Sequence, residues 1–427
     1  MLYIYMHNYR GFRSTLVPIK TCSFLVGENS TGKSSFLYLL QLISKPNFWF
    51  YPRFSSQDDD SIGSYLDIVS AGAKDKSSFD VGIVNTKRLK SGRVELDFAV
   101  HRLADEQGSP ILSWHVQAHD GKKTQLAFGA RKTEYTILEY PATFDSEEVA
   151  IDYFLKEADT FGDLTGTAKP LPKSIPPNPP LALAVSILRT IEAGEKPKSN
   201  EFKAEIPIAM NVTWIAPIRT KPQRIYGGVS RSYSSEGEHS PFVLKTHLKS
   251  QQFAEKLTAF GDASGLFETI VTHTFGKGAS NPFEVLVRLR GVDLNINNVG
   301  YGVSQALPLV VEFLAQEKGG QFAVQQPEVH LHPKAQAALG SLLLDLSCER
   351  KHSFLVETHS DYLIDRFRSD MAKTKSPPES QVLFFSRSAD GNCVTPLPIS
   401  PSGRYPDEQP REFRNFFLQE EMRLLAL

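Results

Sequence analysis

The chain has 427 residues, with 47 lysines and arginines against 48 aspartates and glutamates, which gives a formal net charge of −1. Hydrophobic residues make up 41% and charged residues 22%, so a disordered, collagen-like or disulfide-scaffold protein is excluded. No run approaches the roughly 18 apolar residues of a membrane span, no export signal begins the chain, and the three cysteines lack CxxC spacing. We expect a cytoplasmic protein of about two to three domains, with no membrane partner.

The first 140 residues predict two strands, a helix and a β-meander. Strands are expected at Leu2–Asn8 and Thr21–Val26, and the apolar spacing over Ser35–Ser44 predicts a buried helix. In the following region, apolar and polar residues alternate in short stretches, such as Arg93–Val100 and Ile111–Ala118. Residues typical of turns lie between these stretches. This pattern is typical of an antiparallel meander.

The middle of the chain predicts helices on both sides of a proline-rich segment. Helices are expected at Ser146–Leu164, Ala182–Ala193 and Gln252–Gly261, and a strand at Ile206–Trp214. Between the first two helices, Thr167–Pro180 contains six prolines, which exclude a helix or a central strand. We interpret this segment as an extended linker or lid.

The last third alternates between helices and strands. In chain order, beginning with a helix, the predicted elements are Val303–Glu317, Gln321–Val324, Pro333–Cys348, Ser353–Val356, Asp361–Phe367 and Gln381–Ser386. Such alternation predicts a parallel sheet with crossover helices. Segments 1–50 and 290–400 are therefore expected to form one domain, with 51–290 inserted into it.

One motif matches the phosphate-binding pattern G-x-x-x-x-G-K-[ST] in full. It comprises Gly27, Glu28, Asn29, Ser30, Thr31, Gly32, Lys33 and Ser34, and Ser35 follows it. The glycines let the backbone curl around phosphates, Lys33 reaches their β and γ oxygens, and the Ser34 hydroxyl holds Mg²⁺. Because the motif also lies between a predicted strand and a predicted helix, the sequence predicts a nucleotide-binding (Walker A) loop.

Three further strings follow in order: VGYGVSQ at 299–305, QQPEVHLHP at 325–333 and ETHSD at 357–361. Together with the Walker A loop they resemble the ABC-type ATPases of the SMC/OLD branch. Those proteins carry a GxNxxGKS loop, a GxGxxQ signature, a PExxLHP segment after the Walker B strand and a THS switch. The resemblance covers about residues 1–50 and 290–370, and elsewhere only the layout and Ile215–Arg219 match.

The resemblance implies an α/β fold of the ABC/SMC-head type, a P-loop fold whose mixed sheet has flanking helices and a β-meander lobe. A helical insert interrupts it. We accordingly divide the chain into three parts. Residues 1–140 form an N-terminal ATPase lobe with the Walker A loop and the meander, and 141–290 form an inserted helical or irregular region with the linker 167–180. Residues 291–427 form a C-terminal ATPase lobe with the signature, the Walker B-like strand and the histidine switch.

The resemblance also implies that two heads sandwich two ATP molecules in a homodimer or higher homo-oligomer. Gly300, Gly302, Ser304 and Gln305 of one protomer would then cover the γ-phosphate bound by the other. Glycines allow close backbone approach, and a helix beginning after Ser304 would point its positive end at the phosphate. Ser304 as a simple helix cap is an alternative compatible with this role. His359 would be the switch histidine, although alone it would be interpreted as a polar strand-end residue.

The Walker B positions depart from the pattern, because Gln325 and Gln326 replace the acid that holds Mg²⁺ and the glutamate that activates water. An amide binds Mg²⁺ weakly and cannot accept a proton, so general-base assistance of about 10²–10⁴-fold is missing at Gln326. Glu328 and Glu357 are the nearest acids that could substitute. We expect slow ATP hydrolysis, with Ser34 and Gln325 as Mg²⁺ ligands; negligible hydrolysis and ordinary turnover are the alternatives. The amides are either natural or include an engineered glutamate-to-glutamine change, for which position 325 is the better candidate.

Several chemistries are disfavoured. Residues 360–427 are too few for the Toprim nuclease domain of OLD nucleases, and the consecutive Asp58–Asp60 indicates a solvated turn rather than a metal cluster. The insert lacks the long heptads of SMC coiled-coil arms. His330 and His332 could suggest a zinc pair, but by resemblance the LHP string turns the loop after Walker B.

Stand-alone ATPases of this branch are similar to the ATPase subunits of anti-phage defence modules of the Septu and PARIS types. This implies a nucleotide-gated sensor or scaffold that releases a separate effector, a nuclease, when a phage protein or duplex DNA triggers it. The alternative is a DNA-maintenance ATPase that acts on duplex DNA through a basic groove. The candidate groove residues, each also interpretable as an exposed turn residue, are Lys87, Arg88, Lys90, Arg93, Arg219, Lys221 and Arg224.

Overall fold

The computed structural model describes residues 1–52, 54, 63–173, 175–176, 178–192, 211–227, 232–276, 278 and 281–413. The chain divides into two compact units. The first comprises Met1–Ile19, Asn29–Asn211 and Ser386–Val394, and the second comprises Lys20–Glu28, Val212–Phe385 and Thr395–Leu427. The three-part division made from the sequence stays a prediction.

The strands in chain order are β1 Leu2–Tyr9, β2 Phe12–Ile19, β3 Cys22–Gly27, β4 Ser78–Arg88, β5 Val94–Glu106, β6 Ser109–His119, β7 Lys122–Phe128, β8 Thr133–Glu139, β9 Thr143–Phe144, β10 Lys169–Pro170, β11 Val212–Ile215, β12 Thr269–Thr274, β13 Phe283–Leu289, β14 Val292–Asn295, β15 Gln321–Gln325, β16 Ser353–Glu357, β17 Ser380–Ser388 and β18 Gly391–Ile399. The α-helices are α1 Lys33–Ser44, α2 Tyr65–Ile68, α3 Glu147–Ala158, α4 Leu181–Glu192, α5 Ser240–His247, α6 Gln251–Ser264, α7 Tyr301–Ala315, α8 Pro333–Glu349 and α9 Asp361–Met371. The class is α/β, as predicted. None of the helices in these ranges has the length and apolar character needed to cross a bilayer.

The first unit is built on an antiparallel sheet with the strand order β10-β8-β7-β6-β5-β4-β1-β2. The predicted meander is therefore confirmed, and its turns follow local chemistry: Asp120 and Gly121, between β6 and β7, both have positive φ. In the described part of the proline-rich segment, the one strand is the two-residue edge strand β10, which agrees with the exclusion of a central strand. Asp58–Asp60 lies outside the described residues.

Helix α3 covers one face of this sheet. The Ser146 side chain accepts the backbone N–H of Val149 and caps the helix, and the Phe154 ring meets those of Tyr5 and Phe98 edge-on with centroids 5.2 Å apart in each pair. The helix ends at Ala158, six residues before the end predicted from the sequence, because the chain then turns and Phe161 enters the same core. Apolar periodicity alone cannot distinguish a last helical turn from such a core-filling loop.

Two histidines are buried side by side in the first unit. The Nδ1 atoms of His101 and His115 are 3.0 Å apart, and His115 Nδ1 is 3.1 Å from the Val100 carbonyl oxygen. Burial lowers the pKa of His115 from 6.5 to about 4 and that of His101 well below its usual value. Both imidazoles are therefore neutral in the folded protein at pH 7.

This pair predicts acid sensitivity of the first unit. Because the folded pKa lies below the unfolded one, the stabilisation is complete above pH 6.5 and is lost as the pH falls towards 4. From His115 alone we expect the free energy of unfolding to fall by about 2 kcal/mol between pH 7.5 and pH 5. Denaturant unfolding followed by tryptophan fluorescence measures this. His115→Leu should flatten the pH dependence, whereas His119→Gln, at an exposed site, should leave it unchanged; equal slopes in all three proteins would contradict the prediction.

The second unit contains a five-stranded parallel sheet in the order β17-β3-β16-β15-β11. This confirms the parallel sheet predicted from the alternation of elements. The strand predicted at Ile206–Trp214 is described only from residue 211 onward, where it forms β11. A separate antiparallel sheet has the order β12-β13-β14.

The helices of this unit pack closely because small residues permit it. A Cβ on Gly340 of α8 would lie 2.3 Å from the carbonyl oxygen of Leu363 in α9, so only glycine allows this approach. On the sheet, Phe313 of α7 meets Phe322 and Phe354 with centroids 5.0 and 5.1 Å apart. The N-terminal halves of β15 and β16 are thereby packed against α7.

Candidate functional site

The Walker A loop lies between a strand and a helix, as its chemistry requires. Strand β3 ends at Gly27 and α1 begins at Lys33. Within the second unit, Gly27 has φ +150°, and a Cβ there would lie 2.1 Å from the carbonyl oxygen of Phe385 in β17. A glycine is therefore obligatory at the point where the chain leaves the sheet.

Within the first unit, the rest of the loop enters the helix through left-handed backbone. Ser30 and Gly32 have φ +64° and +98°, and the Gly32 carbonyl accepts the Phe36 N–H at 2.9 Å in the first helical turn. Lys33, although charged, has a 4% relative exposure, and Thr31 is equally buried. The remaining loop positions Glu28, Asn29 and Ser34 are exposed, while Ser35 is partly exposed. The Ser35 carbonyl accepts the Tyr9 hydroxyl at 3.1 Å.

The signature string forms the start of helix α7. Gly300 is its N-cap residue, and a methyl group added there would have no neighbour within 4 Å, so no intramolecular contact requires glycine at this position. At Gly302 a Cβ would lie 3.1 Å from the His330 carbonyl oxygen, a close approach that favours glycine. Gln305 is buried against the body of the unit.

The prediction that a helix begins after Ser304 is wrong. The helix begins at Tyr301, four residues earlier than a helix starting after Ser304, so Ser304 is its fourth residue and does not cap it. Its hydroxyl donates to the Tyr301 carbonyl oxygen at 2.9 Å within the first turn. Serine competes for backbone groups in this way inside helices as well as at caps, which is why residue type did not fix the helix start.

The two glutamines lie at the C-terminal edge of the parallel sheet. Gln325 of β15 pairs in register with Glu357 of β16, and its Nε2 donates to Glu357 Oε2 at 3.0 Å. The backbone N–H of Gln326 donates to the Glu357 carbonyl oxygen at 2.8 Å. Glu357 is thus buried and already paired with an amide. Because the Gln325 nitrogen is used in this pair, its carbonyl oxygen Oε1 is the atom left for a cation.

After the strand, the chain reverses sharply. Gln326 has φ +41°, a left-handed conformation that non-glycine residues adopt rarely. The turn brings the Glu328 carboxylate to the next strand end, where Oε1 accepts the His359 backbone N–H at 2.7 Å. Glu328 Oε2 is buried and has no hydrogen-bond partner among the described residues. The structure therefore places Glu328, predicted as a substitute acid, beside the switch position, where the His359 side chain is exposed.

The histidines of the LHP string have local roles. His332 Nδ1 accepts the Lys334 N–H at 3.3 Å and caps α8, whose first residue is Pro333. The His330 ring lies 5.5 Å from that of Tyr301, centroid to centroid. Within the described ranges, no group of three or more histidine, cysteine, aspartate or glutamate residues is arranged to hold a metal.

Gln336 was not predicted to be functional, yet it joins the loop after β15 to the switch. Its Nε2 donates to the Leu331 carbonyl oxygen at 2.8 Å, and its Oε1 accepts the Ser360 hydroxyl at 2.6 Å. Ser360 Oγ in turn accepts the Leu363 N–H and caps α9. A lone glutamine in a helix carries no sequence pattern that would have identified it.

Arg219 is not the exposed turn residue considered for a basic groove. It has a 2% relative exposure, and its Nη2 donates to the Gln325 carbonyl oxygen at 3.3 Å. The pKa of Arg219 is lowered to about 10. Burial is the main cause, and the negative charge of Glu328 acts in the opposite direction by raising the pKa. Lys221 and Arg224 are exposed. Arg219 is therefore removed from the candidate DNA-groove residues, because it lies buried at the edge of the parallel sheet.

A family comparison identifies the chain. The model described as "AAA domain, putative AbiEii toxin, Type IV TA system" matches residues 22–365. The chain belongs to this AAA family. It is accordingly an AAA-type ATPase, a class that binds nucleotide and in most members Mg²⁺.

Solved SMC head domains are similar to this ATPase over most of its length. A head bound to the C-terminal winged-helix domain of ScpA has 12% identity and a TM-score of 0.45, covering 93% of this chain and 97% of its own. The Thermotoga maritima head has 12% identity and a TM-score of 0.40, covering 92% and 98%. A Pyrococcus furiosus head with an extended coiled coil, bound to the C-terminal domain of ScpA, has 11% identity and a TM-score of 0.43, covering 100% and 99%. No curated protein matches the chain.

Proposed function

We propose that this AAA ATPase binds ATP with Mg²⁺ and hydrolyses it slowly, with Glu328 as the general base in place of Gln326. The observation that carries the proposal is the Glu328 carboxylate, held by the His359 N–H through one oxygen while the other has no partner among the described residues. A buried carboxylate oxygen without a donor is suited to accept a proton from a bound water. Glu357 is the weaker candidate, because the Gln325 amide already occupies its Oε2.

The remaining roles follow from the resemblance. Lys33 and the loop amides would bind the phosphates, and the Ser34 hydroxyl and the Gln325 side-chain oxygen Oε1 are each proposed as Mg²⁺ ligands. A neutral amide attracts Mg²⁺ less strongly than a carboxylate does, and this favours slow turnover. Mg²⁺ would neutralise charge that develops on the phosphates.

At the level of the cell, we propose that nucleotide state controls a toxic effector, a separate nuclease, in defence against phage. The ATPase would form a homodimer or larger ring with ATP between its heads, and a phage product would shift it out of that state. The family description, which names a toxin of a type IV toxin–antitoxin system, is compatible with this function. The weaker alternative, maintenance of duplex DNA, keeps the exposed Lys87, Arg88 and Lys90 as candidate contacts.

Glu328→Gln tests the proposed base. We expect the conversion of bound labelled ATP to ADP to slow by about 10²–10⁴-fold while ATP retention is preserved, since the amide keeps the shape but cannot accept a proton. Glu255→Gln, an exposed acid on α6, is the matched control and should turn over like the parent protein.

Unchanged turnover in Glu328→Gln would remove Glu328 from the base position. The same assay with added duplex DNA separates the two cellular functions. A DNA-dependent rise in turnover that falls steeply with salt would favour DNA maintenance over effector control.

A further inference from the structure

Arg219 lies at the edge of the parallel sheet with most of its hydrogen-bonding capacity unused. It follows β11, which pairs with β15, and one guanidinium nitrogen donates to the backbone of Gln325 at the end of that strand. Its Nε and Nη1 are buried and have no hydrogen-bond partner among the described residues.

This arrangement is costly if Arg219 serves packing alone. A buried guanidinium loses its hydration, and a single hydrogen bond to a neutral carbonyl oxygen returns little of that loss. An apolar side chain of similar length would fill the same space at lower cost. Packing alone therefore does not account for a charged side chain at position 219.

The charged group that acts on Arg219 is the Glu328 carboxylate. Glu328 lies close enough for its charge to act on Arg219, yet Oε2 of Glu328 and the free guanidinium nitrogens do not bond directly within the described structure. Carboxylates at positions 325 and 326 would compete for the guanidinium, but both positions are uncharged amides. The positive field of Arg219 therefore acts on Glu328 without that competition.

We infer that Arg219 is the positioning residue for Glu328. It fixes the main chain at Gln325, from which the loop bearing Glu328 departs, and it leaves free the carboxylate oxygen that accepts the proton. This inference rests on the proposed function, because it assigns a partner to the proposed base.

A double-mutant cycle between Arg219→Met and Glu328→Gln tests the inference. We expect Arg219→Met to lower kcat for ATP hydrolysis by about 10–100-fold with KM for ATP changed less than about threefold, because the defect lies in the reacting state. In the Glu328→Gln background the same change should cost less than about threefold, because the group through which Arg219 acts is already gone. Arg219→Lys, which keeps the charge, should recover part of the loss.

Each other outcome overturns the inference in a distinct way. Multiplying losses in the cycle would show that Arg219 does not act through Glu328, and a raised KM with unchanged kcat would show that it binds the nucleotide. No effect of Glu328→Gln would overturn the proposed base and this inference together, whereas a large effect of Glu328→Gln with multiplying losses would overturn the inference alone. Thermal unfolding checks each variant, and if Arg219→Met does not fold, the cycle is run with Arg219→Lys.

Discussion

Replacing Lys33 with alanine is expected to abolish ATP retention and, with it, any ATP-dependent dimer. Lys33 is buried at the first position of α1, directly after the left-handed Gly32, where the motif places the lysine that contacts the phosphates. Loss of a charged phosphate contact at a desolvated position should weaken ATP binding by at least about 100-fold. Equilibrium binding of labelled ATP and sedimentation with and without ATP measure the two effects.

Lys45→Ala is the matched control for this experiment. Lys45 is the exposed C-cap residue of the same helix, and its removal deletes the same charge at the opposite end. It should bind ATP and assemble like the parent protein. ATP binding by Lys33→Ala at the parent affinity would exclude the Walker A loop as the nucleotide site, and the proposed function would fail with it.

Gly27→Ala is expected to produce the largest loss of stability of any single methyl addition in the second unit. The added Cβ would lie 2.1 Å from the Phe385 carbonyl oxygen, which is main chain of the adjacent strand and cannot move without breaking the β3–β17 pairing. The left-handed φ of +150° adds strain to the clash. We expect a loss of more than about 3 kcal/mol in the free energy of unfolding.

Gly300→Ala provides the comparison, because it adds the same methyl group in open space at φ −61°. Its cost should stay below about 1 kcal/mol, the effect of a poorer N-cap. Denaturant unfolding followed by far-UV circular dichroism measures both variants. Equal stability of the two would mean that the strand end at Gly27 is not held as tightly as its contacts require.

Sequence periodicity predicted most elements of the fold, because it reflects local burial. The largely apolar β3 and the runs in β15 and β16 predicted buried strands, and the helices between them predicted parallel pairing. The ends of the elements were predicted less accurately than their existence. Helix α3 ends early and α7 begins early because packing and backbone hydrogen bonds beyond the local pattern decide where a helical turn continues.

The sequence by itself predicted the phosphate-binding loop and revealed the departure at Walker B, since each depends on residue types at fixed spacing along one short segment. Only the tertiary structure decided which acid lies near the switch, because Glu328 reaches the His359 backbone through a left-handed turn at Gln326 that no residue type dictates. It also decided that Arg219 is buried at Gln325, more than a hundred residues away along the chain. Contacts of that range arise from strand order, and neither charge nor periodicity near Arg219 encodes it.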